Sequence, residues 1–114
     1  MNETVDQDLL DLIAAIRQRP AMYIGRQSVV LFAAHMRGYI DGRFANGDGK
    51  GAQMRRVMLG FQAYVQERYA IEMSLGWEHI LMFFAGNDDS HGLILFGDVW
   101  DDYLHERSTK QKAK

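Results

Sequence analysis

Apolar residues recur at helical spacing in three long stretches of this chain, and its only proline, Pro20, falls between the first two. That pattern leaves one compulsory break and otherwise favours helices. The first helix spans about Thr4 to Gln18, with Leu9, Leu12, Ile13 and Ile16 on one face and Asp6, Asp8 and Asp11 in its early turns. It must stop there, because the residue before a proline is pushed out of the helical region. Ser28 is a good N-cap for a second helix reaching about Phe44. Val29, Phe32, Ala33, Met36, Tyr39, Ile40 and Phe44 share its apolar face, while Ala34, Gly38 and Gly42 recur four apart on another. Small residues at that spacing cost helix propensity, so a neighbouring helix is expected to pack closely on them.

After the glycine-rich loop "ANGDGKG", a third helix spans about Ala52 to Tyr69. Met54, Val57, Met58, Phe61, Tyr64 and Val65 form its apolar stripe, and Arg55, Arg56, Gln62, Gln66 and Glu67 lie opposite. The region from Ile71 to Gly86 reads equally as a buried helix or a strand. A last helix covers about Asp89 to Glu106, with Phe96, Val99, Trp100, Tyr103 and Leu104 on one side. The expected fold is all-α, a compact single-domain bundle of about five helices over residues 1–107, followed by a flexible basic tail over 108–114. The alternative is α+β, with "AIEMSL", "HILMFF" and "GLILFG" as a small sheet within 70–97.

With 114 residues, the chain has one domain's worth of sequence and can bury a core without staples. Cysteine is absent, which excludes disulfides, thiolate metal sites and cysteine nucleophiles. No apolar run approaches a membrane span, and the acidic start "MNETVDQDLL" is unlike a signal peptide, so a cytoplasmic protein is expected. A net charge of -2 gives no reason to expect nucleic acid as a partner. His35, His79, His91 and His105 lack metal-ligand spacing. His35 reads as a structural histidine, and Asp101 with His105 as an ordinary helical pair. No metal, no cofactor and no catalytic set is expected.

The segment "RPAMYIG" carries Arg19, Pro20, Met22, Tyr23, Ile24 and Gly25. From the residues alone it is a structural corner. Pro20 ends a helix, Met22, Tyr23 and Ile24 plug a helix seam, Gly25 permits a turn, and Arg19 bonds helix-end carbonyls. The segment also resembles the "RPGMYIG" stretch near the start of the ATPase domain of the DNA gyrase family, and "GDGKG" resembles that family's later nucleotide loop. Those likenesses imply a nucleotide-binding or regulatory role. The family's glutamate and aspartate-asparagine pair have no counterpart on the next helix, where Asp41 is followed by Gly42. Over most of its length the chain resembles a group of small bacterial proteins with an "I-R-x-R-P-x-M-Y-[IL]-G" opening. "FQAYVQERYAI", "GWEHILMFFAGND" and "LFGDVWDDYLHE" follow in the same order. That resemblance implies helices throughout and an association with toxin immunity, and brings no catalytic residues.

Charge is uneven. Between Ile71 and Glu106 there are eight acids and no lysine or arginine. Asp98, Asp101, Asp102 and Glu106 stand opposite the apolar side of the last helix, where like charges one turn apart repel. Such a face suits a cationic partner. The expectation is a non-enzymatic immunity protein that occludes a cognate toxin through Asp98, Asp101, Asp102 and Glu106, with Trp77 and Glu78 as further contacts. A structural adaptor bundle is the remaining alternative.

Overall fold

Three side chains cap helix starts in the computed structural model, which describes residues 5–112: Ser28, as expected, and also Asp6 and Asp48. Asp6 accepts the backbone N–H of Asp8, Ser28 that of Leu31, and Asp48 that of Lys50. They open α1 (Gln7–Gln18), α3 (Val29–Ala45) and α4 (Gly49–Arg68). Between the first two lies α2 (Pro20–Ile24), and α5 (Trp77–Phe84) and α6 (Asp89–Lys112) complete the chain. The described residues contain no strand, so the all-α reading stands with six helices, and the small sheet within 70–97 does not form. "HILMFF" lies within α5 and "GLILFG" within α6, while most of "AIEMSL" is the irregular link before α5.

Several boundaries differ from those read in the sequence. Pro20 ends one helix and also starts another, because its fixed φ suits the first helical position, where no N–H is needed. The expected start at Thr4 lies outside the described residues. Helix α4 begins at Gly49 rather than Ala52, inside the glycine-rich loop. There Gly51 passes so close to α3 that a Cβ would stand 2.6 Å from the backbone nitrogen of Phe44. Glycine is the residue that allows this contact. Helix α6 continues through the expected tail as far as Lys112.

The core is aromatic. Phe61 of α4 meets Trp77, Phe96, Trp100 and Tyr103 edge-on, and Phe32 of α3 joins through Phe96 and Trp77. Leu9, Ile13 and Ile16 bring α1 into the same cluster. The second end of the bundle is held by a cap contributed across it. Asp89, the first residue of α6, accepts the Ser28 hydroxyl and the backbone N–H of Val30 at 3.0 Å, so α3 is capped partly from α6.

Two expectations about surfaces fail. Ala34, Gly38 and Gly42 face solvent, and nothing lies within 4 Å of a Cβ placed on either glycine. Helices α4, α5 and α6 all pack on the opposite, larger-residue side of α3, where more apolar area is removed from water. In the corner, Met22 and Tyr23 do not plug a seam: they are 72% and 41% exposed. In this five-residue helix only Pro20 and Ile24, one turn apart, are partly buried, and Ile24 packs against the core. Gly25 does turn the chain, at φ 87°. Truncating Tyr23 to alanine should therefore change stability by less than about 1 kcal/mol. Phe61→Ala should cost about 3–5 kcal/mol. Urea unfolding of both variants checks the ranking, and equal losses would contradict it.

Candidate functional site

Helices α3 and α4 form a hairpin whose closed end is the Gly51–Phe44 contact. Further along, Met36, Ile40 and Arg37 of α3 face Met58, Leu59 and Arg55 of α4 across an open groove of about 270 Å³. Trp77 and Gln62 close its far end and Asp41 stands on its rim. Gln62 bonds across the gap, accepting the Trp77 backbone N–H at 2.8 Å and donating to the Leu75 carbonyl at 2.8 Å. The indole of Trp77 is 4% exposed and edges onto Phe32 and Phe61. It is a fixed floor, not a surface anchor.

Leu59 is 67% exposed at this groove, and Phe44, at the closed end, 46%. The Arg55 guanidinium lies 4.4 Å from the centroid of the Phe44 ring, a cation–π contact. Arg55 forms no ion pair among the described residues. Arg37 is committed, donating from both terminal nitrogens to the Glu78 carboxylate at 2.6 and 2.8 Å. Glu78 is 6% exposed, so it serves as the internal partner of Arg37 and offers no contact to another molecule. Burial pushes its carboxyl up, but the Arg37 bonds, its own backbone N–H and the Arg37 charge outweigh that and hold it below its ordinary value of 4.5. The same bond raises the guanidinium of Arg37.

The acids of α6 are exposed, as expected, but they are not unopposed. Asp101 takes a two-pronged bond from Arg17 of α1 at 2.9 and 3.3 Å, and Asp102 one from Arg68 of α4 at 2.9 Å. Asp98 shares a shallow depression with Arg17, Gln27 and Ile94. Asp89 is held by Arg26 and Glu78 by Arg37, so at least four of the eight acids between Ile71 and Glu106 are paired to arginines outside that window. Asp101 thus bonds Arg17, not His105, and His35 is a surface residue rather than a structural one.

Arg19, just before α2, and Met22 and Tyr23 within it are all exposed, and the Arg19 side chain bonds no helix-end carbonyl among the described residues. The "ANGDGKG" loop lies at the other end of α3, whose 17 residues span about 25 Å. The two segments that resemble parts of a nucleotide site are therefore not brought together. No group of three or more histidine, aspartate or glutamate side chains with metal-holding geometry occurs among the described residues. No helix among them is long and apolar enough to cross a membrane.

The groove is only partly visible in the sequence, which marks Trp77 but not Leu59 or Arg55 as a surface feature. The signal that could have found it is Leu59 itself, an apolar residue one turn from Arg55 on the polar side of α4. The buried ion pair gives a prediction with a definite sign. A carboxyl lowered by folding stabilises the native state above its ordinary value, and that stability is lost as pH falls through the lowered value. Glu78→Gln should cost about 1–2 kcal/mol near neutral pH. Its melting temperature should fall less steeply than that of the wild type as pH drops below 4.5. Parallel curves would show that the pair carries none of the acid sensitivity. No family model, curated protein or solved structure matches the chain.

Proposed function

We propose that this chain is a non-catalytic protein-binding domain that acts by occlusion, in the manner of an immunity protein covering a toxin, and that its partner docks at the α3–α4 groove. The observation that carries the reading is the exposure of Leu59 and Phe44 around an apolar gap whose floor, Trp77, is already rigid. Apolar area left in water is worth about 25 cal/mol per Å² to whatever covers it. A groove of about 270 Å³ is the size of an anchor pocket for one or two large side chains, which is how a few residues dominate an interface. Met36 and Met58 line it with side chains that re-pack easily around an occupant.

The outer face of α6 has a different place in this reading. Asp101 and Asp102 are tied to Arg17 and Arg68, so reversing them would also loosen α1 and α4. Asp98, also exposed, adds to the field that steers a cationic partner at long range. The test is titration calorimetry and association kinetics with the protein encoded beside this one. Leu59→Arg should weaken the complex about 30-fold or more, the scale of a hot-spot loss. Asp98→Lys should slow association and leave dissociation nearly unchanged. If Leu59→Arg binds as the wild type does while Asp98→Lys abolishes binding, the docking face is α6 and the groove reading falls.

A further inference from the structure

The charge pattern of the groove specifies its occupant more closely. We infer, resting on the groove as the docking site, that it receives an amphipathic helix of the partner protein, apolar toward Leu59, Met58 and Trp77, with a carboxylate that meets Arg55.

Shape selects a helix. The groove walls are two helices that touch at Gly51 and leave a gap beyond it, and the described residues include no strand, hence no sheet edge on which an extended peptide could add. A third helix laid along such a gap packs its ridges between those of both walls. From Arg55 to Gln62 the gap runs about 10 Å, two turns of an incoming helix. An apolar stripe at i, i+3 or i+4, and i+7 covers that length.

Charge complementarity selects a carboxylate. Of the two cations on the groove, Arg37 already holds Glu78 and also feels the charge of Asp41. Arg55 bonds no acid among the described residues. Its guanidinium is held against the Phe44 ring, so its planar fork is positioned before any partner arrives. A carboxylate can accept two parallel N–H bonds from that fork, and little further ordering of the side chain is required. A lysine or arginine placed over that fork instead would meet a like charge.

The experiment is a phage-displayed library of helical peptides about 15 residues long, long enough to hold some helix when bound. It is panned against the full chain, with the Leu59→Arg variant as a counter-selection. Peptides kept by the wild type and lost by Leu59→Arg should share the apolar stripe, with aspartate or glutamate beside it. Arg55→Glu should lose these peptides at least about 10-fold and prefer versions with lysine at the acidic position, while Arg55→Gln falls between. Circular dichroism and melting temperature confirm that each variant is folded. No enrichment, enrichment without acids, or undiminished binding by Arg55→Glu overturns the inference. If the cognate partner is lost by Leu59→Arg but kept by Arg55→Glu, the groove remains the docking site and the acidic chemistry is wrong. If Leu59→Arg keeps the partner, the groove reading itself fails.

Discussion

The ring of Phe61 meets Trp77, Phe96, Trp100 and Tyr103 at centroid separations of 5.3–5.4 Å, each at a steep angle. Edge-to-face contacts of this kind set orientation as well as distance, because the positive edge of one ring seeks the negative face of another. Helices α5 and α6 are thereby fixed to one side chain of α4. The hydroxyl of Tyr103 extends the arrangement by donating to the Val57 carbonyl at 2.9 Å, so even the polar tip of the cluster bonds α6 to α4. The groove inherits its rigidity from this cluster. Trp77 can be a fixed floor because two of its neighbours, Phe61 and Phe96, are themselves fully enclosed.

Around that core, arginines stitch the helices from outside. Arg17, Arg37 and Arg68 bridge α1 to α6, α3 to α5, and α4 to α6. At the hairpin, Arg43 bonds Asp48 and Asp8 while Lys50 approaches Asp6 and Asp8, tying the first turn of α1 to the α3–α4 turn. Most of these pairs are exposed and individually contribute little. Arg37–Glu78 is different, because a carboxylate already removed from water leaves a large penalty behind if its cation is withdrawn. The same bridges use up much of the charge that the linear sequence displays, leaving the surface more mixed in sign than the run of acids suggests.

What the sequence makes legible follows from what periodicity can carry. The long helices show it: Ser28 starts α3 where a cap is expected, and Trp100 and Tyr103 are buried as the spacing of α6 implies. Helix α2 has too few residues for any period, so its Met22 and Tyr23 read as core when they are surface. Helix α5 is eight residues, nearly all apolar, and its helical nature shows only once Gln62 and the aromatic cluster hold its first turn. Ion pairs are the least legible feature. The partners of Asp101, Glu78 and Asp102 lie 84, 41 and 34 residues away, beyond the reach of any window along the chain. The groove is hidden for the same reason, because Leu59 and Arg55 acquire their meaning only from Phe44 and Trp77 across the hairpin.

The cap that Asp89 provides to α3 reaches back 59 residues to Val30 and 61 to Ser28. Ser28 secures the start of α3 locally, through Leu31, and Asp89 secures it a second time from far along the chain. That second bond requires the intervening chain, α4 and α5 included, to be closed. The native state keeps the same linkage. When the end of the bundle near Gly25 breathes, the amides of both turns should become open to solvent exchange together, as a single cooperative unit. The α3–α4 hairpin, at the opposite end and closed by a short turn over residues 46–48, is free to stay folded through that opening. The hairpin turn is thus closed locally, whereas the end near Gly25, like the Trp77 floor of the groove, depends on contacts between distant parts of the chain.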